Sequence, residues 1–334
     1  MNRKYMYALL GTVLPLALAG CAPQAQQPDS LTLVRLNQVV HSIFYAPQYV
    51  AMELGFFEEY GIEIELDTGQ GADRSMTAIL SGHADIGLMG TEASFYVFNE
   101  GRENFAQPFA QLTARAGNFL VAREPMPDFT WEDVRGRTII GGRVGGMPQM
   151  VLEYVLRENG IEPGVDVEIL SNLAFTTTAA AFTGGVGDFT AEFDPSAFML
   201  EQSEIGYVVA SLGEASGVVP YTVYMATLEY ISANPDVVQN FTNAIYRAQV
   251  WVSQNSPADI ARVIQPHFPE NTYDELEVMV RRYQDIGSWL VAPIIEPAGF
   301  YLLQDIMEQS GELSTRVNFD GFVNNEFARR AMQR

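Results

Sequence analysis

Residues able to hold a small polar molecule fall where apolar segments end. Gly141-Gly142-Arg143-Val144-Gly145-Gly146-Met147-Pro148 separates the apolar Thr138-Ile139-Ile140 from a helical stretch, Pro148 to Asn159. Glycines let a ligand approach the backbone, and Pro148 suits a first helical turn. Gly145, Gly146 and Met147 are therefore a candidate cradle, or a purely structural turn. The pattern is not GxGxxG and no lysine follows it, so it is a poor nucleotide signature. Arg143 pairs with a ligand carboxylate or a cleft acid, or stays solvated on the surface. Glu192 and Asp194 flank Phe193 just before Pro195. Two acids and an aromatic suit a ligand with amino or ring N–H donors; Asp194 can instead cap a helix opened by Pro195. Because strand side chains alternate faces, Glu192 either meets the ligand or turns away. If it turns away, Asp194 shares its parity and the binding acid is Glu92.

The same logic selects Asn37, a donor and acceptor at the end of the first apolar run, or a turn cap. It also selects Gly90-Thr91-Glu92 after Ala84 to Met89. Thr91 is expected to cap the following helix, whose free N–H groups can bind an anionic or carbonyl oxygen. Glu92 contacts the ligand or simply complements the helix dipole. Phe44 and Tyr45 open a helix, where an aromatic ring stacks on a planar ligand or joins the core.

Other chemistry is excluded. Lys4 is the only lysine, so a chain that has lost its N-terminus cannot form a Schiff base on a lysine side chain. His41, His83 and His267 are the only histidines and show no metal-ligand spacing. No cofactor, metal or catalytic residue is expected, and the chain reads as a non-enzyme. A formal net charge of −22 repels phosphate backbones, which disfavours nucleic acid as a partner. Arg3 and Lys4 precede an apolar run, Tyr5 to Leu18, that is shorter than the roughly 20 apolar residues of a spanning helix. Leu18-Ala19-Gly20-Cys21 then resembles the bacterial lipobox. Residues 1–20 are expected to be a lipoprotein signal peptide, Cys21 the lipidated residue, and 21–30 a Gln- and Pro-rich tether. The expected location is the cell membrane, lipid-anchored on the extracytoplasmic side. Cys21 is the only cysteine, so no internal disulfide forms.

The elements that would position these residues follow α/β grammar. Strands are predicted at Leu31 to Leu36, Ile62 to Leu66 and Ala84 to Met89, with helices at Tyr45 to Tyr60 and Asp73 to Ser81. The order repeats as strands at Thr138 to Ile140, Val167 to Leu170 and Gly187 to Glu192, with helices at Pro148 to Asn159 and Phe175 to Phe182. Such alternation implies parallel sheets with crossover helices. Ser81-Gly82-His83-Ala84-Asp85-Ile86 parallels Gly184-Gly185-Val186-Gly187-Asp188-Phe189, suggesting two similar lobes. After Tyr207 to Ala210, helices are predicted at Pro235 to Gln254, Ala258 to Pro266, Tyr273 to Leu290 and Gly299 to Gln309, packing back on the first lobe.

Four ordered blocks carry a family resemblance. Leu31 to Asn37 with Phe44 to Ala51, Gly55 to Ile62, Ile79 to Gly87 and Trp131 to Ile139 resemble periplasmic binding proteins of the nitrate/sulfonate/taurine and thiamine-pyrimidine-precursor group. The resemblance implies the two-lobed type II periplasmic-binding-protein fold, two Rossmann-like lobes joined by a hinge. The lobes would be 30–118 plus 222–334, and 119–221. Phe44 and Tyr45 would face the Glu192 loop, and Tyr221, at the return crossing, would close over the ligand. The implied partners are a small-molecule ligand and an ABC permease with its ATPase, served by a monomer. A sulfonate, taurine or nitrate would want positive charge, whereas the candidate acids and aromatics outnumber Arg143 and Arg115. The expected ligand is therefore a small polar heterocycle like a thiamine pyrimidine precursor. The other readings are an anion-binding protein, a ligand-sensing lipoprotein, or an enzyme similar to pyrimidine synthases. Those synthases use pyridoxal phosphate and a cysteine-rich iron motif, for which this chain lacks the residues.

Overall fold

The computed structural model describes residues 31–333, so the expected signal peptide and Cys21 lie outside the described residues. Among the described residues, ten strands build two five-stranded sheets. The first contains β1 (Thr32–Gln38), β2 (Ile62–Thr68), β3 (Ile86–Met89), β4 (Ala106–Thr113) and β10 (Thr222–Thr227), in the order β2-β1-β3-β10-β4. The second contains β5 (Asn118–Ala122), β6 (Thr138–Ile140), β7 (Glu168–Leu170), β8 (Phe189–Phe193) and β9 (Tyr207–Ser211), in the order β7-β6-β8-β5-β9. Each sheet has three parallel strands followed by one antiparallel strand. That antiparallel strand is the one adjoining a crossing between sheets: β5 where the chain enters the second, β10 where it returns to the first.

The repeated Asp has the same task in both sheets. Asp85 accepts the backbone N–H of Arg35 at 2.9 Å and is held by the Arg35 guanidinium. Asp188 accepts the backbone N–H of Thr138, also at 2.9 Å. A carboxylate opening the third strand thus fixes the first strand of each parallel trio.

Differences from the predicted elements have local causes. The helix expected over Tyr45 to Tyr60 stops at Glu53, because Gly55 takes a left-handed φ of 70°, and a single turn, Phe56–Glu59, follows. The helix from Tyr273 ends at Asp285 rather than Leu290, followed by Gly287 at φ 64°. Strands β4, β5 and β10 carry no periodic signature: every residue of β4 and β5 is buried, so no alternation shows. The C-terminal helices do not pack on the first lobe alone. Tyr283, fully buried, receives the Asp194 N–H at 3.0 Å and donates to the Gly117 carbonyl at 3.1 Å. Arg282 pairs with Glu201 and Asp194. The helix Tyr273–Asp285 therefore grips the second sheet where the chain enters it.

Replacing Tyr283 with Phe keeps the ring but strands a buried N–H and a buried carbonyl. We expect a loss of about 1–3 kcal/mol of stability, read as a lower urea midpoint at unchanged slope. An unchanged midpoint would show that this hydroxyl does not join the lobes.

Candidate functional site

Ligands in open parallel sheets bind beyond the carboxyl ends of the strands, and a cavity between the two sheets lies there. It encloses about 500 Å³. Val39 and Val40 follow β1, Gln70 and Gly71 follow β2, and Gly90 follows β3. From the second lobe come Arg143 to Pro148 after β6 and Phe193 at the end of β8. Tyr45, Tyr96 and Tyr221 add aromatic surface; Met76, Ala93 and Val97 add apolar surface; Asp73 and Glu312 add acid.

Of the residues expected to bind ligand, Tyr45, Gly90, Arg143, Gly145, Gly146, Met147 and Tyr221 line this cavity. Asn37, Phe44, Thr91, Glu92, Glu192 and Asp194 do not, and each has another bond or packing partner. Asn37 accepts the Ser75 hydroxyl at 2.6 Å and so anchors the helix Ala72–Leu80. Phe44, fully buried, packs on Tyr45, Phe193, Tyr221 and Tyr283, behind the cavity. Thr91 makes no helix cap; its hydroxyl donates to the Pro220 carbonyl at 2.6 Å and ties down the returning chain. Glu192 accepts the hydroxyls of Thr190 at 2.7 Å and Thr178 at 3.1 Å. Asp194 caps the next helix by accepting the Phe198 N–H at 3.0 Å and pairs with Arg282. Alternation along β8 puts Phe193 on the cavity and turns Glu192 from it.

Glu92 does not line the cavity itself but lies directly against Gly90, which does. It begins the helix Glu92–Asn99 and is 3% exposed. Its carboxylate lies over Gly90, a cavity-lining residue where any Cβ would collide with it. Burial pushes its pKa up to about 8, against backbone N–H groups of Glu92, Ala93 and Met147 that favour the charge. Met147 begins the helix Met147–Glu158 of the second lobe, so one carboxylate faces two helix N-termini, one in each lobe. Among the described residues its Oε2 has no hydrogen-bond partner, and neither has the buried hydroxyl of Tyr221. Burial also raises the pKa values of Tyr45, Tyr96 and Tyr221, with the Glu92 charge adding to it, so these hydroxyls stay protonated donors.

The lobes also meet at the mouth. Arg143, the one lining arginine, pairs with Asp73 at 3.0 Å, both half-exposed. The Tyr96 hydroxyl donates to the Gly145 carbonyl at 2.8 Å. Tyr96 sits one helical turn after Glu92, a spacing that could have flagged it. Asp73 was foreseeable only as the unnamed acid partner of Arg143. Glu312, in the turn after the helix Pro297–Gln309, had no local signal.

The sequence pattern of the NMT1-like family matches residues 38–265. A chain of Bacillus subtilis (strain 168) named "Putative binding protein YtlA" is 42% identical over 331 residues, 98% of each chain. Among solved structures, the alkanesulfonate-binding protein SsuA from Xanthomonas axonopodis pv. citri bound to MOPS superposes with a TM-score of 0.68 at 16% identity, covering 91% of this chain and 99% of that one. The periplasmic nitrate-binding protein NrtA from Synechocystis PCC 6803 gives 0.71 at 15% identity, covering 91% and 89%. The desulfurization enzyme DSZB gives 0.64 at 15% identity, covering 90% and 99%. The likeness to these structures establishes a shared two-lobed fold. Among the described residues, no helix is long and apolar enough to cross a membrane.

A carboxyl whose pKa rises on folding stabilises the protein while protonated and loses that contribution as pH climbs from its unfolded to its folded value. For Glu92 that window runs from about 4.5 to about 8. Wild type minus Glu92→Gln, compared by Tm, should therefore fall steadily across it. A difference independent of pH would contradict the buried, high-pKa carboxyl.

Proposed function

The chain belongs to the NMT1-like family, and from that premise we propose that it is the solute-binding component of an ABC importer, capturing a neutral or cationic aromatic heterocycle. A thiamine-pyrimidine-precursor-like compound is the leading candidate. The carrying observation is the buried Glu92 carboxyl at two helix starts, packed against the cavity-lining Gly90; among the described residues its Oε2 has no hydrogen-bond partner, and neither has the hydroxyl of the cavity-lining Tyr221. Helix starts of this kind are where an oxyanion would bind; here the protein's own carboxylate takes that position. The lining arginine is already paired with Asp73, and Glu312 adds negative charge. Ring N–H donors complement Glu92 Oε2 once the carboxyl gives up its proton, a ring or carbonyl acceptor complements Tyr221, and Tyr45, Phe193 and Tyr221 supply aromatic surface for a planar body.

Binding without turnover fits this geometry, since the groups around the cavity can hold and orient a ring but include no nucleophile–base pair. The proposed working motion is closure of lobes 30–118 plus 222–334 and 119–221 about the two crossings, presenting a closed surface to the permease and its ATPase. Cys21 is proposed as the lipid anchor that keeps the monomer on the extracytoplasmic face of the membrane. The neighbours named for alkanesulfonate and nitrate support a second reading, an oxyanion in the same cavity; the lining Glu312 and the pairing of the one lining arginine with Asp73 oppose it.

A thermal-shift panel of aminopyrimidines, taurine, alkanesulfonates and nitrate separates the two, followed by calorimetric titration of any hit. We expect an aminopyrimidine to raise Tm and to be recovered unchanged. Glu92→Gln should weaken it roughly 10- to 150-fold, the loss of one hydrogen bond to a charged group. Stabilisation by the anions alone, unaffected or improved in Glu92→Gln, would reverse the assignment.

A further inference from the structure

A second cavity of about 490 Å³ adjoins the first and shares Gln70, Asp73, Arg143 and Val144 with it. Its character is different. Arg74, Ser171, Asn172 and Thr176 bring guanidinium, hydroxyl and amide groups, and the only acid in the lining is Asp73. Asp73 is neutralised by Arg143 at 3.0 Å, which leaves Arg74 as the charge in excess. Arg74 is exposed and makes no ion pair or side-chain hydrogen bond among the described residues. In a chain of net charge −22, a mouth with two arginines and one acid is a local reversal of sign.

The two lobes build this outer pocket together. Gln70, Asp73 and Arg74 come from the segment after β2. Ser171, Asn172, Leu173, Ala174 and Thr176 come from the segment after β7, the equivalent strand of the second lobe. Arg143 is stitched to that segment by backbone pairing with Asn172. Gln70 holds a left-handed φ of 58°, uncommon for a residue with a side chain, at the point where the two cavities join.

We infer that the outer pocket is a second subsite that takes an oxyanion tail, a phosphate or carboxylate carried by the same ligand whose ring occupies the inner cavity. The inference rests on the ring reading above and adds the chemical class of the whole molecule: a heterocycle with a short anionic arm. Arg74 supplies charge, the hydroxyls of Ser171 and Thr176 and the Asn172 amide supply donors, and Arg143 is shared between Asp73 and the tail. The arrangement separates charges the inner cavity could not tolerate together, since an anion beside Glu92 would meet a buried acid while the same anion at the mouth meets Arg74.

The test compares a hydroxymethyl-aminopyrimidine with its phosphate monoester, by calorimetric titration on wild type and Arg74→Gln, with inorganic phosphate as a control. We expect the ester to bind at least ten-fold more tightly than the alcohol at low salt. Arg74→Gln should erase most of that gain without changing the affinity of the alcohol, and added salt should shrink the gain in wild type. Equal affinity of ester and alcohol, or an equal loss of both in Arg74→Gln, would overturn the subsite and leave the ring reading standing. Binding of inorganic phosphate as tightly as the ester would overturn the idea of one bipartite ligand. Failure of both alcohol and ester to bind would bring down the ring reading and the subsite together.

Discussion

A carboxylate held between the first turns of two helices sets the terms for the rest of this site. Glu92 belongs to the first lobe, yet the N–H of Met147 that favours its charge belongs to the second. Water is excluded there, so the charge is costly and the proton is retained far above the ordinary range of a glutamate. Helix N-termini attract anions in general; with the position filled from within, what remains is an acceptor lacking a donor. The tyrosines around it remain neutral donors for the same reason that Glu92 remains protonated, namely burial.

That local balance depends on the two lobes keeping their relative position. The connections are distributed: Thr91 to Pro220, Ser42 to the Asp194 carbonyl, Tyr96 to Gly145, and Tyr283 to both Gly117 and Asp194. Most are buried hydrogen bonds near the two crossings, while the Arg143–Asp73 pair at the mouth is solvent-screened and weak. Strength thus concentrates near the two crossings and thins toward the mouth, a gradient that the proposed closure of the lobes would use. The duplicated topology explains how such a cleft arises. Each lobe repeats one strand order and one Asp clamp, Asp85 and Asp188, so equivalent strand ends converge from both sides.

Much of this was legible in the residues. Strand ends located the cavity, because polar loops at the carboxyl edge of a parallel sheet are marked by glycine and by the change from period two to period 3.6. Side-chain direction was not legible. Glu192 and Asp194 have the right chemistry but the wrong parity, and Thr190 and Thr178 or Phe198 and Arg282 satisfy them instead. Thr91 looked like a helix cap and is spent on Pro220. Strands β4 and β10 escaped notice because burial on both faces, complete in β4 and nearly so in β10, removes alternation. Pro108, which cannot donate to a ladder, sits in β4 opposite Met225, where the register shifts. Glu312 reaches the cavity from more than two hundred residues beyond Glu92 in the chain, a proximity that only the tertiary fold creates.

Whether Glu92, buried against the cavity-lining Gly90, holds its proton until an N–H donor arrives can be observed without any variant. Carbon-13 labelling of glutamate carboxyls allows the Glu92 resonance to be titrated in the free protein and with a saturating aminopyrimidine. The free carboxyl should titrate near pH 8. With the ring bound, its pKa should fall by a unit or more, as the ligand N–H stabilises the carboxylate. A Glu92 carboxyl that titrates in the ordinary glutamate range, or one whose titration ignores the bound ring, would contradict the account.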